Sequence, residues 1–341
     1  MRQVETKSET KSDWSGRVAL VTGIGGFVGG GLAAELLERG ASVVGMLRDS
    51  SGLRQLEAVG IAGKVELVRG SITEPGLALR ALNEYEVDTV FHLAAQALVG
   101  VANRSPLSTF ESNIAGTWHV LDAARLAPMV QRVVVASSDK AYGNQAVLPY
   151  TETSSLAGIF PYDASKVCTD VLSRCYATSF ALPVAVLRCA NIYGPGDLNW
   201  SRLIPGTIRA ALMGQNPVIR SDGTPERDYL YLSDAVEGYL KAAEHLPEQS
   251  GAAFNVGTGR GISVNVLVEE ILAAVGTAGL KPRVLGEARG EIDRQFLASD
   301  KASRVLGWSP RVDLIEGLAL TVEWYRNYLA AKPSLLLQEV R

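Results

Sequence analysis

Short runs of apolar residues recur along the first half of the chain and predict β-strands. They lie at residues 17–22, 42–47, 64–69, 87–94, 131–138 and 184–190. Nearly every position in these runs is apolar, which is typical of parallel strands buried on both faces. Amphipathic stretches with helical spacing lie between them, at 31–39, 109–125 and 163–180. The alternation predicts an α/β fold, a Rossmann-type doubly wound parallel sheet with helices on both faces.

The sequence pattern changes after Asn191, where Gly, Pro and Asn occur often and the apolar runs become shorter. This change predicts a smaller C-terminal substrate-binding lobe over the carboxyl ends of the sheet strands, where open α/β sheets bind ligands. The predicted organisation is a disordered polar tail at 1–15, a dinucleotide-binding domain at 16–190, a substrate-binding lobe at 191–330 whose chain crosses back to the sheet, and a tail at 331–341.

Composition narrows the classes of function. The 341 residues carry a formal charge of −3, so no basic surface for nucleic acid is expected. No apolar run approaches the roughly 20 residues of a membrane helix, and the N-terminal residues lack the apolar core of a signal peptide. Cys168, Cys175 and Cys189 lack CxxC spacing, which favours a reducing compartment and no metal site. We therefore expect a cytoplasmic protein that binds neither nucleic acid nor a membrane.

A glycine-rich segment follows the first predicted strand and precedes a helix. It reads Thr22-Gly23-Ile24-Gly25-Gly26-Phe27-Val28-Gly29. Gly23 permits a tight turn, Gly26 lets the backbone approach a pyrophosphate at the helix N-terminus, and Gly29 allows the helix to pack closely on the strand. A flexible connection would not need this order of strand, glycines and helix. The segment predicts a nicotinamide dinucleotide.

The end of the second predicted strand bears on which dinucleotide is bound. NAD-selective sites usually have an Asp or Glu there for the ribose 2′-OH. This chain has Leu47 followed by Arg48, and arginine suits the 2′-phosphate of NADP. Asp49 lies one residue further on and could take the acidic role. The pattern favours NADP over NAD and leaves both open.

The segment Tyr162-Asp163-Ala164-Ser165-Lys166 places a phenol and an amine at i, i+4 on one helix face. A lysine cation beside the phenol lowers the phenol pKa, so that tyrosinate can act as a base toward a sugar hydroxyl. Ser138 ends a predicted buried strand, where its hydroxyl can hydrogen-bond the same substrate oxygen. Taken singly, the pair could be a solvated surface pair and the serine a helix cap. Their order after the glycine loop favours a catalytic site.

Eight motifs together resemble those of extended short-chain dehydrogenase/reductases, the NAD(P)-dependent nucleotide-sugar epimerase/dehydratase group. They are TGIGGFVG (22–29), FHLAAQALVG (91–100), SNIAGT (112–117), SSDKAYG (137–143), YDASK (162–166), RCANIYGPG (188–196), RDYLYLSDAVEGYL (227–240) and FNVGTG (254–259). The resemblance runs from about residue 17 to residue 328. It implies a catalytic triad of Ser138, Tyr162 and Lys166, and a nucleotide-sugar substrate held mainly by the C-terminal lobe.

The resemblance also implies two sets of binding residues. The cofactor set is Thr22, Gly23, Gly26, Phe27, Val28, Gly29, Arg48, Ser71, Ile72, Ala94, Ala95, Gln96, Asn113, Tyr162 and Lys166. The substrate set is Ser137, Ser138, Asn191, Arg202, Arg227 and Arg294. The three arginines would face the sugar-nucleotide phosphates, and Asn113 would have a structural or proton-relay role. Ser71 stands where the family often has Asp, so the adenine contact would differ.

Asp139 and Lys140 directly follow Ser138, and this Asp-Lys pair resembles that of CDP-glucose 4,6-dehydratases. The second-strand end, GMLR (45–48), instead resembles GDP-mannose 4,6-dehydratases, which use NADP. Both resemblances imply C4 oxidation, removal of the C5 proton by Lys140, loss of the C6 hydroxyl with a proton from Asp139, and return of the hydride to C6. Lys140 must then be neutral and Asp139 protonated, which a dry pocket can provide.

Other readings of the same residues stay open. An Asp-Lys ion pair could simply order the loop. Within the family, a 4-epimerase or a decarboxylase is the alternative reaction, and a non-catalytic dinucleotide sensor could use the same fold. The resemblance further implies a homodimer through a four-helix bundle, built from residues 107–124 and 163–180. Val167, Val171, Leu172, Cys175 and Tyr176 could line that interface or face the sheet.

Overall fold

The computed structural model describes residues 12–277, 279–287 and 292–332. In chain order the strands are β1 (Val18–Thr22), β2 (Ser42–Leu47), β3 (Glu66–Arg69), β4 (Thr89–His92), β5 (Arg132–Ser138), β6 (Val184–Cys189), β7 (Asn191–Tyr193), β8 (Val218–Ile219), β9 (Glu226–Arg227), β10 (Tyr229–Tyr231), β11 (Ala253–Val256), β12 (Ile262–Ser263), β13 (Arg283–Val284) and β14 (Arg294–Gln295). The α-helices are α1 (Phe27–Glu38), α2 (Leu53–Ala58), α3 (Leu77–Glu84), α4 (Val99–Arg104), α5 (Pro106–Phe110), α6 (Gly116–Leu126), α7 (Pro161–Phe180), α8 (Leu203–Leu212), α9 (Leu232–Glu244), α10 (Val264–Val275), α11 (Asp300–Leu306) and α12 (Leu314–Ala331).

Within the described residues, the main sheet has seven parallel strands in the order β11-β6-β5-β4-β1-β2-β3. The chain starts in the middle at β1, runs outward to β3, and then crosses to β4 and the other half. This reversal is the doubly wound order, so the predicted fold class is confirmed. The crevice of such a sheet opens where the order reverses, between β1 and β4.

Alternate residues of each central strand pack into different hydrophobic clusters. In β1, Ala19 and Val21 face the cluster beneath α1 and α9, whereas Leu20 faces the cluster beneath α3 and α6. In β5, Val134 faces the first cluster and Val133 the second. The strands are therefore buried on both faces, which explains their nearly continuous apolar sequence.

Several element boundaries differ from the prediction, and two of them have a clear local cause. The helix expected at 31–39 begins at Phe27, because the glycine turn closes at Gly26 and the N–H of Gly30 already donates to the Gly26 carbonyl at 2.8 Å. The strand expected at 87–94 ends at His92. The N–H of Leu93 is shared between the Thr22 carbonyl at 3.2 Å and the Thr22 hydroxyl at 3.1 Å, and the N–H of Ala94 donates to that hydroxyl at 3.2 Å.

Residues 12–15 of the N-terminal segment pack against the fold. Trp14 is 1% exposed and packs against Phe91 of β4, and its N–H donates to the Arg39 carbonyl at 3.0 Å. The prediction of a disordered tail over 1–15 is therefore wrong for residues 12–15, because one large apolar side chain anchors them. Residues 1–11 and 333–341 lie outside the described residues.

The second half of the chain builds a further hydrophobic cluster from α8, α10 and α12. It also returns to the main sheet, since β11 pairs with β6 and Tyr239 of α9 packs in the cluster beneath β1 and β5. The division at residue 190 stays a prediction. None of the helices in the described residues is both long and apolar enough to cross a membrane.

Candidate active site

The carboxyl ends of β1, β4 and β5 lie side by side, because these strands are neighbours and parallel. They end in Thr22, His92 and Ser138. Segments that follow these strands therefore meet at one edge of the sheet. This edge is where the predicted cofactor and catalytic residues come together.

The glycine loop is shaped so that side chains have no room. Gly23 has φ +74°, and a Cβ there would lie 2.8 Å from the Ala94 nitrogen. A Cβ on Gly29 would overlap the Gly23 carbonyl. The N–H of Gly26 donates to the Gly23 carbonyl at 2.9 Å, which closes the turn before α1. The N-terminus of α1 thus lies bare beside a tight backbone turn, which fits a dinucleotide pyrophosphate.

Thr22 supports this loop from beneath. Its hydroxyl lies 2.8 Å from His92 Nδ1, and the other His92 nitrogen lies 3.1 Å from the Thr117 hydroxyl. Burial lowers the pKa of His92 to about 3, so the imidazole is neutral. The buried Thr22–His92–Thr117 chain ties β1 and β4 to α6 under the crevice.

Arg48 and Asp49 lie at the end of β2. Arg48 is 73% exposed, and its Nε lies 3.1 Å from Asp49 Oδ2. Asp49 Oδ1 accepts the N–H of Ser51 at 2.9 Å, which caps a short 3₁₀-helix over Ser50–Gly52. The guanidinium is thus open to solvent at the expected position of the adenosine ribose, while the carboxylate is engaged by its own turn.

Ser71 and Ile72 follow β3 and have structural contacts of their own. The Ser71 hydroxyl accepts the N–H of Thr73 at 3.2 Å and lies 2.7 Å from the Thr73 hydroxyl. The Ile72 side chain is buried against Gly116, where a Cβ would lie 2.8 Å from its Cγ1. A cofactor contact at these positions would come from the Ser71 hydroxyl or from the backbone.

Asn113 lies in one π-helical turn, Glu111–Ala115, between α5 and α6. Its Oδ1 accepts the N–H of Gln96 at 2.7 Å, and its Nδ2 donates to the Gln96 carbonyl at 3.1 Å and to the Ser165 hydroxyl at 2.9 Å. The amide therefore joins the loop after β4 to α7. These contacts favour the structural role over the proton relay, because both polar atoms already have partners.

Ser138, Tyr162 and Lys166 come together where β5 ends and α7 begins. Ser138 lies near the Tyr162 phenol, and Lys166 Nζ lies 6.0 Å from the centroid of the Tyr162 ring. Lys166 Nζ donates to the Ala136 carbonyl at 2.7 Å, which holds the amine against β5. The i, i+4 spacing on a helix thus brings both side chains to one strand end.

Burial dominates the electrostatics of this trio. It raises the pKa of Tyr162, although the nearby Ser138 acts the other way. It lowers the pKa of Lys166 to about 8. The expectation that Lys166 lowers the Tyr162 pKa is therefore wrong, because desolvation disfavours both the phenolate and the ammonium and raises the Tyr162 pKa.

Asp139 and Lys140 begin the short 3₁₀-helix Asp139–Tyr142 after β5. Asp139 is buried, its Oδ1 accepts the Ser138 hydroxyl at 2.9 Å, and its Oδ2 has no hydrogen-bond partner among the described residues. Burial raises the pKa of Asp139, which favours the protonated acid. Lys140 is half-buried, and its Nζ donates to Gln295 Oε1 at 3.1 Å.

The predicted substrate residues divide into near and far ones. Burial raises the pKa of Tyr162 and of Asp139, and a nearby arginine opposes this in each case. The charge of Arg202 acts to lower the Tyr162 pKa, and the charge of Arg227 acts to lower the Asp139 pKa. Arg202 Nη1 lies 2.9 Å from Asp197 Oδ2.

Other members of the predicted substrate set form an ion pair or hydrogen bonds with other groups of the protein. Arg294 is 59% exposed and pairs with Glu226 at 2.9 Å. Asn191 Nδ2 donates to the Asp228 carbonyl at 3.3 Å, and the Ser137 hydroxyl donates to the Lys166 carbonyl at 3.4 Å.

Comparison with known proteins identifies the family. A model described as the NAD dependent epimerase/dehydratase family matches residues 19–257. The chain belongs to the NAD-dependent epimerase/dehydratase family. The chain is therefore an enzyme of a family that contains NAD-dependent epimerases and dehydratases.

Relatives in this epimerase/dehydratase family carry out both reactions. A UDP-glucose 4-epimerase from Mycolicibacterium smegmatis is 34% identical over 90% of this chain and 98% of its own length. A CDP-glucose 4,6-dehydratase from Salmonella typhimurium is 29% identical over 96% and 95%. The crystal structure of a dTDP-glucose 4,6-dehydratase from Streptomyces venezuelae, solved with NAD bound, has a TM-score of 0.83 at 30% identity and covers 93% of this chain and 99% of that one. The choice of reaction therefore depends on the site residues.

Two residues of the site were missed in the sequence. Gln295 lies on a two-residue strand far along the chain, and nothing local marks it. Asp163 directly follows Tyr162, the predicted catalytic tyrosine, and its carboxyl is buried beside Lys140 and Asp139, where burial raises its pKa to about 6. An acidic residue beside the tyrosine of a family motif, on the first turn of a helix, was a signal available for Asp163.

Proposed function

We propose that this family member is a nucleotide-sugar 4,6-dehydratase. One observation carries the proposal: a buried acid and an amine, Asp139 and Lys140, directly follow Ser138, which lies near the phenol of Tyr162. An epimerase needs only the oxidation and its reversal. A dehydratase also needs a base for C5 and an acid for the C6 hydroxyl, and this pair offers both.

The first step is oxidation at C4. Tyr162 takes the proton of the C4 hydroxyl while Ser138 holds the same oxygen by a hydrogen bond, and the hydride leaves C4. Lys166 holds the end of β5 beside the phenol through Ala136. A bound nicotinamide dinucleotide would supply the hydride chemistry: it would take the hydride from C4 and give it back to C6.

Water is lost in the second step. The C4 ketone makes the C5 proton acidic, and Lys140 takes it in its neutral form. Asp139 gives its proton to the C6 hydroxyl, which leaves as water, so that a C5–C6 double bond forms. The raised pKa of Asp139 favours the protonated acid that this step requires. Return of the hydride to C6 and of a proton from Lys140 to C5 gives the 4-keto-6-deoxy sugar.

A 4-epimerase is the second candidate, and the 34% identity to a UDP-glucose 4-epimerase favours it. The deciding experiment incubates the protein with CDP-glucose, GDP-mannose, UDP-glucose and dTDP-glucose and follows product mass and keto-group formation. A dehydratase gives a product lighter by one water. An epimer of unchanged mass with no dehydrated product would refute the dehydration.

For the substrate, we propose a CDP-glucose or GDP-mannose type of nucleotide sugar, on the resemblance of the Asp-Lys pair and of the second-strand end. Relatives named for CDP-, dTDP- and UDP-glucose support the nucleotide-sugar class. The same panel of four substrates ranks the bases, by comparison of kcat/KM for each.

For the cofactor, we propose NADP in preference to NAD, with Arg48 as the contact for the 2′-phosphate. Arg48→Ala should weaken NADP binding about 10-fold or more, the worth of one lost charge-assisted hydrogen bond, and leave NAD binding nearly unchanged. Titration of both dinucleotides by protein fluorescence or calorimetry measures this. Arg80→Ala, a similarly exposed arginine on α3, is the control. A preference for NAD in the unsubstituted protein would overturn the proposal.

We also propose a homodimer through the predicted four-helix bundle. Leu107, Trp118 and Val171 are exposed on α5, α6 and α7, at 69%, 43% and 53%. Of the five residues considered on α7, Leu172 and Tyr176 pack against the core, Val171 and Cys175 are exposed, and Val167 is half-buried. A face with this many large apolar side chains suits a second subunit.

A charge within that face should disrupt the dimer. Trp118→Glu is expected to give a monomer at micromolar concentration in light scattering, because a carboxylate would be buried without a partner. Ile315→Glu, at an equally exposed apolar position on α12, should leave the dimer intact. A dimer that survives the Trp118 change would place the interface elsewhere.

A further inference from the structure

Gln295 connects the second lobe to the proposed dehydration chemistry. Its side chain is fully buried, and its Oε1 accepts the Lys140 Nζ hydrogen bond at 3.1 Å. It lies on β14, which pairs with β9 so that Gln295 stands opposite Arg227. A strand of the second lobe thereby fixes the end of the Lys140 side chain.

The other polar atom of the same amide has no partner. In the part of the chain that the structure describes, Gln295 Nε2 is buried and makes no hydrogen bond. Buried amide groups are nearly always paired, and an unpaired one costs free energy. Oε1 and Nε2 are bonded to the same carbon, so Nε2 lies close to Lys140 Nζ. Asp139 Oδ2 is likewise buried and without a partner. A sugar oxygen in this space can satisfy both atoms.

The choice of an amide, and not a carboxylate, suits a lysine that must lose its proton. An amide oxygen can accept from a neutral amine as well as from an ammonium, although the bond to the ammonium is the stronger of the two. A carboxylate would favour the ammonium through its charge. Lys140 interacts electrostatically with Asp139 and with Asp163 of α7, and Arg227 of β9 acts on both of these acids. Burial raises the pKa of both Asp139 and Asp163 and so favours their neutral forms. Gln295 is neutral as well, so it adds no negative charge that would hold the proton on Lys140.

We propose that Gln295 is a positioning residue, which holds Lys140 through Oε1 and binds a sugar oxygen near C5 or C6 through Nε2. The inference rests on the proposed dehydratase function. Gln295 takes no proton itself. It orients the base by one end of the amide and the substrate by the other.

Two substitutions at this position should move the Lys140 pKa in opposite directions. Gln295→Glu should raise it by about one unit or more, because an opposite charge favours the ammonium. Gln295→Met, of similar volume, should lower it, because a hydrogen bond to the charged form is lost. NMR titration with ¹³Cε-labelled lysine reports this pKa, with the Lys140 signal assigned by its loss in Lys140→Met. The rising limb of the pH profile for water loss should move with it, to higher pH for Glu and to lower pH for Met.

Both variants should also bind the nucleotide sugar several-fold more weakly and bind the nucleoside diphosphate alone with unchanged affinity. Gln55→Met is the matched control. It removes another buried amide with an unpartnered Nε2 on α2, and it should leave the Lys140 titration and the ratio of water loss to C4 oxidation unchanged.

The failures of the two proposals are distinguishable. Unsubstituted protein that never loses water from a sugar refutes the dehydratase, while the Lys140 titration still tests Gln295. Dehydration in the unsubstituted protein, with a Lys140 pKa and a sugar-nucleotide affinity that do not change in either variant, overturns the role of Gln295. If the Glu variant does not fold, the downward shift in the Met variant decides.

Discussion

Lys140→Met is expected to stop water loss while C4 oxidation continues. The substitution removes the proposed base for the C5 proton and keeps the length of the side chain. General-base catalysis contributes about 10²- to 10⁴-fold, so dehydration should fall by that factor. The first half-reaction does not involve Lys140, and one turnover of nicotinamide reduction should proceed at close to the original rate.

Two measurements on the same sample separate the steps. Absorbance of the reduced nicotinamide in a single turnover reports C4 oxidation, and mass spectrometry reports the dehydrated product. Reduced cofactor and the 4-keto sugar should accumulate together, since the hydride has no double bond to return to. Lys64→Met, at an exposed position before β3, is the control and should behave as the unsubstituted protein.

Stability must be measured alongside, because Lys140 Nζ is a partner of the buried Gln295. An unchanged unfolding midpoint shows that the variant lost chemistry and not its fold. Water loss at the original rate would show that another group takes the C5 proton. In that case the Asp139–Lys140 segment would serve only to order the loop after β5.

The parts of the fold that the sequence predicted are those that local pattern controls. Strands buried on both faces must be apolar at almost every position, and this marked β1, β2, β5 and β6 within one or two residues. The glycine turn was equally clear, because a Cβ at Gly23 or Gly29 would collide with backbone. These constraints act between residues close in the chain.

Residues that join the site over long distances were not predictable in the same way. Gln295 reaches Lys140 across 155 positions, through a strand of two residues that has no periodicity to read. Trp14 was assigned to a tail because its neighbours are polar, yet one indole against Phe91 is enough to anchor the segment. In both cases the position of the residue depends on a packing partner that is far away in the sequence.

The electrostatics of the site show the same limit. The spacing of Tyr162 and Lys166 predicted an attraction that lowers the phenol pKa. The spacing does not show how far the two side chains are buried from solvent. Packing at the junction of β5 and α7 buries both groups, and burial raises the pKa of one and lowers that of the other. For Asp139, the expected dry pocket and the raised pKa agree, because the same burial favours the neutral acid.

Tyr162→Phe is expected to remove all turnover, whichever reaction the enzyme performs. Epimerisation and dehydration both begin with loss of the C4 hydroxyl proton, and the substitution removes the one oxygen proposed to take it. Nicotinamide reduction in a single turnover should fall about 10²- to 10⁴-fold. Cofactor binding should persist, because the glycine loop and Lys166 are untouched and the remaining ring keeps its packing. Tyr176→Phe, further along α7 with its hydroxyl 3.5 Å from Asp122, is the control.

The pH dependence sharpens this test. Because burial raises the pKa of Tyr162, the phenolate fraction at neutral pH is small in the unsubstituted protein, and C4 oxidation should become faster as the pH rises toward that pKa. The phenylalanine variant should lose this rise together with the rate. A variant that still reduces the nicotinamide with the same pH profile would show that a different group takes the C4 proton. Lys140→Met should allow C4 oxidation and stop water loss, whereas Tyr162→Phe should stop C4 oxidation itself. The two variants together therefore separate the reaction into the steps before and after the 4-keto sugar.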